Sequence, residues 1–335
     1  MTLCISCLNM IPDQGADICP VCGFSASQYN PPLHWLASGT VLDNRYYIGT
    51  AAGSDVFGVL YNAYDVVMCR RVVIRQLMLK SRMPADNTLL KRDEAYFSAE
   101  QAEAFMKSFR NAADIEASCL PKVYTFRKSG NIVYAVTEYI KGESLAGYIS
   151  SSGAWNFEGA KKLTLPVIIA LKLLHDRGVV QGNLGPGNII KTADSIVVSG
   201  MPGIFASAAG AFEYGGFVPS VSGDIRNFLL IFLSLMYGSD KTVSPAIIND
   251  EFFSRSEPFI PDDVKQYFYA VFHPEGRTVD VTARGVLDNV FKCGEVAVGR
   301  KQHPLQAAPP AFLLEAAKRS GVNYKRIITS VTEKM

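Results

Sequence analysis

Apolar residues recur along this chain at two spacings, and the change falls near residue 140. From residue 41 to about 140 they form short runs such as Arg71-Val72-Val73-Ile74-Arg75 and Tyr134-Ala135-Val136-Thr137, divided by Gly, Asn and Asp, which predicts a strand-rich segment. From 141 to about 295 longer runs predict helices. Phe228-Leu229-Leu230-Ile231-Phe232-Leu233-Ser234-Leu235-Met236 is about half the roughly 20 apolar residues that span a bilayer, so it reads as a buried core helix. Residues 27–40, with Asn30-Pro31-Pro32, read as a short stiff linker. Between Lys80 and Gln101 a charged insertion replaces a tidy strand-to-helix turn and is expected to be partly mobile. Residues 296–335 read as a linker followed by a helical pattern, Ala311 to Ser320, stopped by Gly321. Phe312, Leu313, Ala316 and Ala317 share one face of it, expected to dock in cis on the large lobe, with a partner surface as the alternative.

Residues 1–26 carry a different signal: Cys4-Ile5-Ser6-Cys7 and Cys19-Pro20-Val21-Cys22, with eleven residues between the pairs. Two such knuckles place four thiolates at the corners of a tetrahedron suited to zinc. So short a segment has too little apolar surface to fold without a metal. With Cys4, Cys7, Cys19 and Cys22 all as ligands, no position is left open for water, so the zinc is structural; two disulfides or free thiols are the rival reading. Cys69, Cys119 and Cys293 show no pairing pattern, and no secretory signal opens the chain, which points to a reducing cytoplasm.

Charge excludes rather than identifies. The chain has 33 basic and 31 acidic residues with no long run of either, and no Lys or Arg between Met1 and Pro32, so nucleic acid is not expected as a partner. A hydrophobic fraction of 48% fits a folded globular protein.

Four motifs then occur in order. Ile48-Gly49-Thr50-Ala51-Ala52-Gly53-Ser54-Asp55-Val56-Phe57-Gly58-Val59 has the form of a strand, a glycine-rich turn and a strand, and is followed by the Val72-Val73-Ile74-Arg75 strand and by Glu138-Tyr139-Ile140-Lys141-Gly142. His175-Asp176-Arg177-Gly178-Val179-Val180-Gln181-Gly182-Asn183-Leu184-Gly185-Pro186-Gly187-Asn188 has the spacing of a catalytic loop, Asp224 opens the long apolar run, and Arg277 follows later. Over residues 41–295 this resembles the protein kinase-like superfamily, in particular bacterial serine/threonine kinase-like proteins, some of which carry a zinc ribbon in front. The resemblance implies an α+β, two-lobed fold, with an N-lobe over 41–140 and a C-lobe over 141–295.

The same resemblance implies a damaged active site. In kinases a strand lysine paired to a helix glutamate holds phosphate, a loop aspartate accepts the substrate proton and a later aspartate holds magnesium. Those positions here are Arg75, Ser108, Asn183 and Ser199, with Glu103 as the nearest, loosely aligned alternative partner for Arg75. An amide cannot take a proton near neutral pH, and Asn188 alone makes a poor magnesium site. Gln181-Gly182 replaces the His-Arg pair, and the segment Met201 to Ser222, where an activation loop is implied, lacks A-P-E, leaving Arg277 without its glutamate. The vestigial nucleotide pocket is assigned to Gly53, Asp55, Gly58, Arg75, Glu138 and Asn188. A carboxylate at Asp55 about 4 Å from a phosphate would cost about 4 kcal/mol at an effective dielectric near 20. Asp55 is therefore expected to pair inward with Arg75, and ATP and magnesium to bind poorly. The reading is a pseudokinase that binds protein partners as a scaffold, with a residual ATP-binding phosphotransferase as the alternative.

Overall fold

The computed structural model describes residues 2–11, 17–84, 90–91, 94–200, 204–205, 212, 218–238, 243, 248–249, 251, 254, 259–275 and 277–293. The helical pattern at Ala311 to Ser320, the last part of the chain, and most of Met201 to Ser222 lie outside the described residues. The described chain divides into two compact units, residues 2–96 with 127–139, and residues 97–126 with 140–293.

The first unit is built on a six-stranded sheet of β3 (Val41–Leu42), β4 (Tyr46–Asp55), β5 (Gly58–Asp65), β6 (Arg70–Leu77), β7 (Val123–Ser129) and β8 (Ile132–Glu138), ordered β3-β4-β5-β6-β8-β7. Alternation on β5 buries Val59, Tyr61, Ala63 and Asp65 and leaves their neighbours Leu60, Asn62 and Tyr64 partly exposed. β8 lies between β6 and the edge strand β7, and Val133, Tyr134, Ala135 and Val136 are all buried, which is why it reads as a continuous apolar run. Asp65 closes the β5–β6 hairpin: buried, it accepts both Nε and Nη2 of Arg45, at 2.9 and 2.8 Å, and the N–H groups of Val67 and Met68. On one face Tyr61 donates to Gln76 at 2.9 Å and accepts from the N–H of Leu36 at 3.0 Å, so the stretch 27–40 lies against the sheet there.

The cysteine-bearing segment belongs to this unit. Strands β1 (Thr2–Leu3) and β2 (Met10–Ile11) pair antiparallel, and among the described residues the hydrophobic cluster beside them is Cys4, Ile11 and Cys19, with Cys7 and Phe24 packed against it.

The second unit is helical. Its members are α1 (Ala99–Ala113), α2 (Leu145–Ser152), α3 (Phe157–His175), α4 (Val221–Tyr237), α5 (Asp262–Phe272) and α6 (Ala283–Val286), which runs into a π-turn over Leu287–Phe291. Short strands β9 (Glu143–Ser144), β11 (Ile189–Lys191) and β12 (Ile196–Val198) form a three-stranded sheet, and β10 (Val179–Val180) pairs with β13 (Ile204–Phe205). Ser98 starts α1 with a capping box to Gln101, and Asn156 and Ser220 cap α3 and α4. Every residue from Phe228 to Met236 is buried, so the expected core helix is α4. Phe232 stacks edge-on against Phe157 and Phe268, with centroids 5.7 and 6.0 Å away. Among the described residues no helix is long and apolar enough to cross a membrane.

Candidate functional site

The candidate positions fall in both units. In the first, the turn between β4 and β5 is organised by one carboxylate oxygen. Asp55 Oδ1 accepts the N–H groups of Phe57 and Gly58, at 2.9 and 3.1 Å, and Nη2 of Arg75 at 2.6 Å. Arg75 sits on β6 opposite Leu60 and Ala135 and is 1% exposed, and Asp55 is 14% exposed. Nε and Nη1 of Arg75 have no hydrogen-bond partner among the described residues. The pairing expected from opposite charges is thus present, and it also takes up the backbone donors of the turn. Glu103, the alternative partner, lies exposed on α1.

Two glycines of the turn differ in what they do. Gly58 has φ +148°, and a Cβ there would lie 2.0 Å from the Gln76 carbonyl oxygen, so only glycine lets β5 approach β6. At Gly53 a Cβ would meet nothing within 4 Å. Glu138 ends β8 opposite Val72, partly exposed.

In the second unit the loop from Gln181 to Asn188 hangs on Asp224. This fully buried carboxylate accepts the N–H of Gln181 and of Gly182, each at 2.8 Å, and lies 2.9 Å from Nε2 of His175. His175 therefore serves the loop's architecture from the end of α3. Gly182 has φ +75°, and the side-chain oxygen of Gln181 accepts the N–H of Asn183 at 2.8 Å. Asn183 is exposed. Asn188, whose side-chain oxygen is the sequence-assigned magnesium ligand, spends that oxygen on the N–H of Gly185 at 3.0 Å, and its amide donates to the Asn183 carbonyl. Ser199 turns both its N–H and its hydroxyl to the Asn188 carbonyl, at 2.8 and 3.1 Å. Asn183, Asn188 and Ser199 are thus brought into one hydrogen-bonded group that, among the described residues, contains no carboxylate, and this donor set does not fit a magnesium ion. Ser108 is buried on α1, its hydroxyl without a partner among the described residues. Arg277 stacks over Tyr269, 4.8 Å from the ring centroid.

The four N-terminal cysteines do fit a metal. Their sulfurs lie within 4.8 Å of one another, with Cys4–Cys22 at 3.9 Å and Cys7–Cys19 at 3.8 Å. Four sulfurs about 2.3 Å from a central zinc stand about 3.8 Å apart. Burial pushes the Cys4 thiol up to about 12. Burial also acts to raise Cys19, but the N–H groups of Cys22 and Val21, together with hydrogen bonds from the Cys4 and Cys22 side chains, outweigh it and bring that thiol down to about 7. The N–H of Ser6 points at the Cys4 sulfur and the Asn9 amide at the Cys7 sulfur, each at 3.4 Å.

Sequence reading missed the role of Gly49. A Cβ there would lie 2.5 Å from the Ile5 carbonyl oxygen and 2.7 Å from that of Asn62, so this glycine lets the cysteine segment lie directly on β4. A glycine inside a strand is the signal that marks it.

No protein-family model matches the chain. A probable serine/threonine-protein kinase of Clostridium acetobutylicum is 30% identical over 159 residues, which is 48% of this chain and 22% of that protein. The serine/threonine-protein kinase PrkC of Bacillus subtilis is 23% identical over 152 residues, 45% of this chain and 21% of that protein. The chain thus spans about a fifth of the length of these curated relatives. Among solved structures, the apo form of PpkA-294 matches with a TM-score of 0.54 at 18% identity, covering 77% of this chain and 99% of that one. The PknI kinase domain of Mycobacterium tuberculosis matches with a TM-score of 0.51 at 18% identity, covering 77% and 99%. The chain has a protein kinase-like fold. In sequence it is similar to serine/threonine-protein kinases, and its N-terminal cysteine cluster can hold a metal ion.

Proposed function

We propose that this is a catalytically impaired kinase homologue, a pseudokinase of a bacterial cytoplasm, that works as a protein-binding scaffold and carries structural zinc on Cys4, Cys7, Cys19 and Cys22. The observation that carries the reading is Asp55. Its carboxylate stands against the two N–H groups of the glycine turn and the Arg75 guanidinium, the groups that the kinase resemblance assigns to phosphate. A phosphate arriving there meets a resident anion of the same sign. Asn183 in place of a proton acceptor and Ser199 in place of a metal ligand support the same conclusion from the other unit.

The test is the melting temperature of zinc-loaded protein with millimolar ATP, ADP or GTP, with and without magnesium, followed by a phosphotransfer assay on a generic protein substrate. A flat melting temperature and no transfer are expected, because only a ligand that binds the folded state raises it. A magnesium-dependent rise with labelled product would instead establish the second reading, a residual ATP-binding serine/threonine phosphotransferase. The sequence similarity to serine/threonine-protein kinases favours that second reading.

A further inference from the structure

The glycine turn is tied at its root to the cysteine segment. β4 and β5 pair Ile48 with Ala63, then Ala51 with Tyr61, then Gly53 with Leu60. Across those steps β4 advances five residues and β5 three, so β4 carries two extra residues in successive bulges. The backbone freed there is bonded to the N-terminal segment. The N–H of Thr50 donates to the Ile5 carbonyl at 2.7 Å, the N–H of Ala51 to the Tyr29 hydroxyl at 2.8 Å, and the Gly49 carbonyl accepts from the Ser38 hydroxyl at 2.7 Å. Ile5 lies between Cys4 and Cys7, so metal ligation fixes the carbonyl that holds Thr50. A second tie runs from Cys7: the Asn9 amide nitrogen points at its sulfur, and the Asn9 oxygen accepts Nη2 of Arg71 on β6 at 3.0 Å.

Beyond the bulges, β4 is joined to β5 only by the pairs Gly53 with Leu60, Ser54 with Val59 and Asp55 with Gly58, and Gly53 and Ser54 are exposed. The turn that follows is held to the chain after β6, where the carbonyls of Phe57 and Val56 accept the N–H groups of Met78 and Lys80 at 3.1 and 2.9 Å, so on the β4 side the register rests on the bulges and these three pairs. A slip of one residue would turn every side chain to the other face, and Asp55 would leave Arg75.

We propose that the cysteine site is a metal-dependent latch on the glycine turn: the bound metal fixes the β4 bulges through Ile5, Asn9 and the Tyr29 segment, and so holds the Asp55 carboxylate on Arg75. The latch rests on the metal reading given above and extends it from local folding to control of the anion-binding turn. Loss of the metal to a chelator would free Arg75 and the N–H groups of Phe57 and Gly58 for an external anion.

The experiment is amide hydrogen exchange on the full chain, zinc-loaded and after chelation, resolved to single residues. Chelation is expected to speed exchange at Thr50 and Ala51, and with them Phe57 and Gly58, by at least about tenfold, while Tyr61 and Ile74 in the neighbouring strands hold. Unchanged Phe57 and Gly58 beside a faster Thr50 would overturn the latch, as would uniform acceleration of the whole first unit, which would make the metal a folding element only. Tyr29→Phe keeps all four cysteines and removes the hydroxyl that holds Ala51, so with zinc bound it should speed the amides of Ala51, Phe57 and Gly58. No change in that variant also counts against the latch. A zinc assay on the same samples separates the two readings: a chain that takes up no zinc sinks the metal site and the latch together, whereas a zinc-loaded chain with an unresponsive turn sinks the latch alone.

Discussion

Removing the Asp55 carboxylate should destabilise the first unit far more than an ordinary loop substitution. Asp55→Ala strands the Arg75 charge, which is 1% exposed and has Nη2 bonded to the missing oxygen at 2.6 Å, while its Nε and Nη1 already lack partners among the described residues. Breaking a buried pair from one side costs about 3–5 kcal/mol, because a buried charge is left uncompensated. Replacing both partners, as in Asp55→Ala with Arg75→Met, removes the stranded charge, so the double variant should be more stable than Asp55→Ala alone. The cycle should then show a coupling of at least about 2 kcal/mol. The chain has two tryptophans, Trp35 in the first unit and Trp155 in the second. Urea unfolding followed by Trp35 fluorescence in a Trp155→Phe background therefore reports the first unit. Inorganic phosphate adds an independent check. It should leave the parent untouched and restabilise Asp55→Ala by about 1.4 kcal/mol at ten times its Kd. A cost below about 1 kcal/mol with no coupling would show that the pair lies in effective solvent, as surface pairs do, and the plugged-turn account would be wrong.

Gly49→Ala forces a methyl against two backbone oxygens, those of Ile5 and Asn62, and should cost about 1–3 kcal/mol by the same Trp35 readout; a neutral result would mean that the cysteine segment does not lie on β4. Asp224→Ala leaves the N–H groups of Gln181 and Gly182 and the His175 ring without their acceptor, and should lower the second unit's stability by about 3–5 kcal/mol, followed by Trp155 fluorescence in a Trp35→Phe background. Cys22→Ser should reduce zinc stoichiometry measured by chelator release and lower the melting temperature, because three sulfurs do not close the tetrahedron. Restoring chemistry by Asn183→Asp and Ser199→Asp should still give no ATP-dependent thermal shift, and adding Asp55→Gly to that pair should give one.

What could be read from the chain followed how directly each feature depends on residue type. The buried run Phe228 to Met236 and the alternation on β5 announce themselves because burial on all sides or on one side selects apolar residues at a fixed period. The Asp55–Arg75 pair was legible because the kinase pattern places the turn over β6, so opposite charges at those positions must meet or be stranded. The ties between the cysteine segment and β4 were not legible. They run through backbone atoms of Ile5, Thr50 and Ala51 and the hydroxyl of Tyr29, and a backbone hydrogen bond leaves almost no trace in side-chain identity. Only Gly49 recorded the close approach, and within a glycine-rich motif its meaning was masked by its neighbours.

On the proposed reading, Asp224 explains how a kinase-like fold outlives its chemistry. Its carboxylate holds the loop by the N–H groups of Gln181 and Gly182, and every residue except proline supplies that donor. The loop's path therefore puts no demand on whether position 183 carries an acid or an amide. Ser199 goes further, because its N–H and its hydroxyl both bond the backbone carbonyl of Asn188, so that replacement is part of the local structure. Reversing one replacement alone would return a carboxylate to a site whose partners have turned away. Asn183→Asp by itself should thus leave stability within about 0.5 kcal/mol, since the side chain is exposed, and should produce no phosphotransfer. A measurable transfer rate from that single variant would mean that the magnesium and phosphate groups were in place all along, and that Asp55 yields to nucleotide.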